Sequence, residues 1–381
     1  MFFYKGRYLS FEWGVYILMD NRLILIGLHE LEGVGWKTIL HLLNRFPEPE
    51  RLLTLSTAEL TAKGIRASVA AQIATQFNRS FIEEKLHLYR KQSIQIITIL
   101  DDDYPPILKE IAQPPWVLYV KGKLSLLKGP ILGIVGTRTP TLYGKRIAEE
   151  WADALSRTGF SIVSGLARGI DSKAHIGALK GKSKTVAVLG CAINHIYPRE
   201  NALLYKRIEQ EGVIISEYPI GTGMRPGMFP QRNRIIAGLS LGVTVVEAAA
   251  DSGSLITVDF ALEESRDVFA VPGPIDSKQS VGVHKLLKDG AKLVTQVEEI
   301  LEEYKHIIRM EELGASKKQS QLFTLTVEED EIFRKMSNQP VSIDSLLEDG
   351  QFTFGHLHAV LLSLVMKKAI KQLPGSTYIL A

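Results

Sequence analysis

One cysteine, Cys191, stands in 381 residues. That excludes an intramolecular disulfide framework and a cysteine-based zinc site, and it fits a reducing compartment; Cys191 itself reads as a buried structural thiol. No apolar run approaches the roughly 18 residues of a membrane-spanning helix, and the N-terminus lacks an apolar stretch ending in a small-residue cleavage site. A cytoplasmic protein is expected. Charge of one sign is scarce as well: 45 Lys and Arg against 42 Asp and Glu leave a net +3, so any nucleic-acid affinity must come from local clusters of arginine. The familiar catalytic motifs are missing too. Gly177-Ala178-Leu179-Lys180-Gly181-Lys182-Ser183 imitates a P-loop, but it has one residue too few between its glycines and precedes a strand where a P-loop follows one. The first strand-to-helix turn lacks Gly-x-Gly-x-x-Gly. His356 and His358 are close together on an apolar helix, where packing is the expected role. With no hydrolase elbow, zinc-protease helix or nucleophile–base pair, no catalytic residue, metal or cofactor is expected.

What is present is apolar content of 45% in a chain too long for one core, so two or three domains are expected. Phe2, Phe3, Tyr4, Tyr8, Phe11, Trp13 and Tyr16 crowd before Met19, a candidate natural start, and residues 1–22 are read as an N-terminal extension. Residues 23–100 read as a helical domain with a tight hairpin at Leu31-Glu32-Gly33-Val34-Gly35, the pattern of a helix-hairpin-helix, and a weaker copy at Lys63-Gly64-Ile65 before the helical run Ser68 to Phe77. Such hairpins can offer backbone N–H groups to a DNA phosphate or serve only as connectors.

The proline-punctuated stretch from Tyr104 to Trp116 and the strand-like Val117–Val120 mark the passage into an α/β domain set at 101–305. Apolar runs at Ile131–Val135, Phe160–Val163, Thr185–Leu189, Val213–Ile215, Val243–Val246, Val268–Val271 and Lys292–Val294 alternate with helical segments. That is the pattern of a doubly wound parallel sheet covered on both faces. Residues 306–320 read as a linker and 321–381 as a winged helix, with helices at Glu328–Met336, Ile343–Leu347 and His356–Lys368 and a closing hairpin at 369–380. Lys367, Lys368 and Lys371 could touch DNA, although protein docking is the favoured role.

Ligands of doubly wound sheets bind beyond the carboxyl ends of the strands, and the segments that follow these strands are polar or glycine-rich. Gly136, Thr137 and Arg138 follow the first; Ser164, Gly165, Arg168 and Gly169 follow the second. Arg199 comes after Tyr197-Pro198. The loop 221–227 carries Arg225 and leads into Phe229-Pro230-Gln231-Arg232-Asn233-Arg234, where two arginines at a helix start suggest an anion site. Ser252, Gly253 and Ser254 follow Glu247 and offer a serine-capped helix N-terminus. Arginines spread over several turns exceed the needs of one mononucleotide and could track a polymer backbone.

Taken together, Gly133-Ile134-Val135-Gly136-Thr137-Arg138, Tyr143-Gly144, Ser164 to Asp171 with Ala174-His175, Tyr197-Pro198-Arg199-Glu200-Asn201, Ser216-Glu217, Phe229 to Gly238, Glu247 with Ser252-Gly253-Ser254, and Val271-Pro272-Gly273 carry a resemblance. From about Leu23 the chain resembles the bacterial DNA-processing protein A family, also called DprA or Smf. The resemblance implies a Rossmann-like core that binds single-stranded DNA, a sterile-alpha-motif-like N-terminal region and a C-terminal winged helix. It further implies a homodimer that protects incoming strands in natural transformation and loads the RecA recombinase onto them, with Arg138, Ser164, Gly165, Arg168, Arg199, Arg232, Asn233 and Arg234 as DNA contacts. Two departures stand out: Gly190-Cys191-Ala192-Ile193-Asn194 lacks the family's usual aspartate, and His284 replaces a common asparagine. The rival readings are a nucleotide hydrolase of the same fold, whose Pro-Gly-Gly-x-Gly-Thr turn is absent here, and a scaffold acting through its winged helix.

Overall fold

The structure is a computed structural model that describes residues 13–307, 326–336, 341–347, 352–367, 369–373 and 375–380. Residues 1–12, most of the 306–320 segment read as a linker, and Lys368 lie outside the described residues. The chain divides after Tyr304 into two compact units.

The first unit begins with helices α1 (Trp13–Glu30), α2 (Trp36–Arg45), α3 (Thr57–Ala62), α4 (Ala67–Gln76) and α5 (Arg79–Lys91). The single helix α1 thus runs through 13–22 as well as 23–30. Two hairpins join these helices in pairs. The first turns on Gly33 and the second on Gly64, both with the positive φ that glycine adopts without strain. Ser56 and Glu59 form a reciprocal capping box that starts α3. The apolar stripes of these helices, including Leu25, Leu28, Ile39, Leu42, Val69 and Ile73, join a core that continues onto one face of the sheet through Tyr119, Ala187 and Ile214.

Nine strands make that sheet: β1 (Gln95–Thr98), β2 (Val117–Gly122), β3 (Ile131–Val135), β4 (Ser161–Ser164), β5 (Thr185–Leu189), β6 (Val213–Ser216), β7 (Gly242–Val245), β8 (Asp267–Ala270) and β9 (Lys292–Leu293). Their order is β1-β2-β6-β5-β4-β3-β7-β8-β9. From β6 to β9 all neighbours are parallel, whereas β2 runs antiparallel to β6 and β1 antiparallel to β2. Between them lie α6 (Pro106–Lys109), α7 (Leu142–Arg157), α8 (Ile170–Ala178), α9 (Ala202–Glu211), α10 (Met228–Leu239), α11 (Leu255–Glu263) and α12 (Val281–Lys288), and α13 (Glu298–Glu303) follows β9. Val186, Val188, Val213 and Ile215 pack with Ile235 and Ile236 of α10, while Ala187 and Ile214 face the opposite layer with Ile208 of α9. The fold is therefore the doubly wound α/β sheet expected, with an antiparallel pair added at one edge. Chain order reverses between β3 and β7, which opens a crevice at their carboxyl ends.

The second unit contains helices Val327–Lys335, Ile343–Leu347 and Phe354–Met366 and a three-stranded sheet whose central strand is Thr377–Leu380, the outline of a winged helix. Its core gathers Ile332, Leu346, Leu357, Leu361, Leu364, Ile370 and Tyr378. Glu329 ties the first helix to the third: it accepts Ser363 Oγ at 2.7 Å and Lys367 Nζ at 2.6 Å. These bonds hold its carboxyl down at about 2. Lys367 is thus engaged inside the unit.

Candidate nucleic-acid interface

The loop between β4 and α8 is braced from within. Ser164 Oγ donates to Ile134 O at 2.7 Å. The buried Asp171 carboxylate accepts the backbone N–H of Gly165 at 3.1 Å and of Ala167 at 3.4 Å. Thr185 Oγ donates its proton to Ile162 O at 2.6 Å, so His175 Nδ1 must be the donor in its 2.7 Å bond to that oxygen. His175 Nε2 then accepts Leu166 N–H at 3.2 Å. Burial, reinforced by the Arg232 charge, pushes the imidazole down to about 3, so it is neutral. Asn201 Nδ2 donates to Leu166 O at 2.9 Å. Gly169 has φ +82°, and a Cβ there would sit 2.4 Å from Thr137 O. The Gly165 and Ala167 amides are therefore already satisfied by Asp171.

Arg232, on the first turns of α10, is 5% exposed. Its guanidinium lies over Gly165, where a Cβ would come within 2.0 Å of Nη1. Nη1 donates to Val188 O, while Nε is buried without a partner. Desolvation lowers its pKa, and Asp171 opposes that. Arg138 and Arg199 are exposed, and no side-chain hydrogen bond or ion pair engages either among the described residues. Arg168 forms a bidentate pair with Glu200 at 2.6 and 2.8 Å, with both side chains more than half exposed; such a solvent-screened surface pair is weak. Arg225 stands in solvent 4.0 Å from Glu32.

The remaining candidates divide. Asn233 Nδ2 donates to Gly253 O at 3.2 Å, which joins α10 to the Ser252-Gly253-Ser254 turn. Ser254 is the N-cap of α11, but its side chain makes no capping bond; it meets Ser252 Oγ at 2.8 Å instead. The expected serine cap is thus absent at Ser254. Arg234 also departs from expectation. It is buried, pairs with Glu217 at 2.6 Å and donates to Gln113 O at 3.1 Å, on the side of α10 away from Arg232.

A cleft of about 420 Å³ lies at the β3/β7 crevice, lined by Gly136, Thr137, Arg138, Arg232, Asn233 and Ser252 to Ser254 among others. A narrower pocket shares Arg138, Phe229 and Arg232 with it and adds Gly165, Arg168, Cys191 and Tyr197. The Tyr197 and Phe229 rings meet at 5.2 Å. Neither aromatic was a candidate contact from sequence, although both stand inside the arginine-bearing segments. Glu247, the carboxylate relevant to a hydrolase, is 4% exposed. It accepts Thr141 N–H at 2.9 Å and the Thr141 hydroxyl, at the start of α7. His284 Nε2 contacts Gly273 O at 2.9 Å, a carbonyl contact that an asparagine amide could also make. Among the described residues no group of three or more His, Cys, Asp or Glu could hold a metal, and no helix is long and apolar enough to cross a membrane.

The profile of the DNA recombination-mediator protein A family matches residues 95–305. The chain belongs to that family. The DprA winged helix domain profile matches residues 316–376. The DNA processing protein DprA of Bacillus subtilis is 42% identical over 258 residues, covering 67% of this chain and 86% of the relative. Protein Smf of Escherichia coli is 45% identical over 61% of this chain and 62% of its own length. Among solved structures, DprA of Streptococcus pneumoniae aligns with TM-score 0.65 and 37% identity over 74% of this chain and 97% of that one. A Helicobacter pylori family member, described for its single-stranded DNA binding mode, aligns with TM-score 0.51 and 31% identity over 56% of this chain and 96% of that one.

Proposed function

We propose that this DprA/Smf family member binds single-stranded DNA along the arginine-lined carboxyl edge of its sheet without reading sequence, protects it, and loads RecA onto it in natural transformation and homologous recombination. The observation that carries the binding step is the Arg138/Arg232 pair shared by two adjoining clefts, with Arg168, Tyr197 and Phe229 in the wall of one of them and the exposed Arg199 next in the chain to its Pro198. Exposed or weakly paired arginines can exchange a carboxylate or water for a phosphate at little cost, and aromatic faces accept any base. The Helicobacter pylori relative's described single-strand binding supports this reading. RecA as partner follows from the family's recombination-mediator role. A second copy as partner fits the outer edge of β9, where Leu293 is 51% exposed. A nucleotide hydrolase is less well supported, because Glu247 is committed to the start of α7.

The test is fluorescence anisotropy of labelled single and double strands across a salt series. Single-strand preference is expected, with a log–log salt slope of about −0.7 for each phosphate neutralised. Arg138→Ala and Arg199→Ala, both surface changes, should each flatten that slope and weaken all sequences alike. Equal binding of duplex, or loss confined to particular sequences, would overturn the proposal. RecA loading is tested by strand exchange on strands precoated with a single-strand binding protein.

A further inference from the structure

The arginine cleft occupies one side of α10. On the other side Met228, Gln231 and Arg234, three residues apart, border a second cleft of about 480 Å³. It is enclosed by the 31–35 hairpin, Trp116 and the 217–225 segment, and its volume lies in the range of small-ligand pockets. Trp36 and Trp116 stand in its wall, stacked with centroids 5.7 Å apart and planes at 25°. Both indole N–H groups are already used, that of Trp36 on Pro114 O at 2.8 Å and that of Trp116 on Trp36 O at 3.1 Å. What the two half-buried rings offer a ligand is therefore π-surface.

Two acceptors without a partner among the described residues line this cleft, one on His29 and one on Glu217. The Tyr119 hydroxyl gives its proton to Glu30, which also accepts Tyr89 O–H at 2.6 Å. With that proton spent, His29 Nδ1 must donate in its 3.2 Å contact with the Tyr119 oxygen. Burial holds the imidazole below its ordinary pKa and thus neutral. Its Nε2 has no partner among the described residues and carries a lone pair. Glu217 gives Oε1 to Arg234 and keeps Oε2 without a partner among the described residues. Of the two arginines that line it, Arg234 is engaged by Glu217 and Arg225 stands at the rim facing Glu32. This surrounding repels a phosphate and suits the amino edge of a base.

We propose that this second cleft takes unstacked bases of the same single strand, stacked on Trp36 and Trp116 with exocyclic amines donated to His29 Nε2 and Glu217. Phosphates remain on the arginine side of α10. The subsite rests on the single-strand reading above and adds to it a preference for adenine, cytosine and guanine over thymine, which lacks an exocyclic amine.

The experiment follows intrinsic tryptophan fluorescence and anisotropy together on the full chain, with oligo-dC, oligo-dT and an abasic strand of equal length. Trp36 and Trp116 are two of the four tryptophans, so base stacking there quenches a large share of the emission. Oligo-dC is expected to quench, while the abasic strand binds through its phosphates without quenching. Trp36→Phe, which keeps a ring in place, should remove part of the quench. His29→Ala should weaken oligo-dC about fivefold, the worth of one hydrogen bond, and leave oligo-dT unchanged. Tight oligo-dC binding with unchanged tryptophan emission, or equal loss for dC and dT in His29→Ala, overturns the subsite while leaving the single-strand reading intact. Absence of any strand binding by the unsubstituted chain overturns both.

Discussion

His175 couples the 164–171 loop to pH. In the unfolded chain its imidazole titrates near 6.5, whereas in the folded chain it stays neutral down to about 3. Between those values the unfolded state binds one more proton, so stability falls as pH falls, by at most about 1.4 kcal/mol per pH unit from this group. Urea midpoints at pH 7 and pH 5 should differ less in His175→Gln than in the unsubstituted chain. Gly165 makes a second case. Any side chain there would displace the Arg232 guanidinium, because Cβ would fall 2.0 Å from Nη1. Gly165→Ala is expected to cost about 1–3 kcal/mol of stability and to lower single-strand affinity, readable by thermal melting and anisotropy on the same sample.

Helix α10 presents two faces with different duties, and the sequence shows only that both carry arginine. Arg232 sits under the crevice, whereas Arg234 neutralises Glu217, whose side chain is 12% exposed. Arg234→Ala therefore leaves a mostly buried carboxylate unpaired, and a stability loss of about 3 kcal/mol is expected, with a Tm drop that Arg138→Ala does not share. Burial and a partner 17 residues away leave no mark in the local pattern, which is why the two arginines looked alike. Strands β3 to β7, buried along their whole length, were legible because strands buried on both faces are written in nearly continuous apolar residues. Strand β1 was not, since Gln95 is exposed, Ile96 only half buried, and the antiparallel pairing depends on β2. Tyr197 and Phe229 could be seen as residues but not as neighbours. The Asp171 bonds to Gly165 and Ala167 depend on loop geometry that no spacing rule supplies.

At the scale of the molecule, the division after Tyr304 makes a prediction of its own. A chain ending at residue 307 retains both clefts of the first unit and should keep the single-strand affinity and salt slope of the full chain. A large loss on truncation would move the binding surface to the winged helix and support the scaffold reading. The same first unit also carries a kinetic consequence in the braced 164–171 loop. Asp171, His175 and Asn201 hold that loop before any strand arrives, so its share of capture needs no folding on contact. Encounter would then be governed by diffusion and long-range attraction: stopped-flow traces at low salt should show one phase with a rate linear in protein concentration, and Asp171→Asn, by slackening the loop, should bend that line toward a plateau.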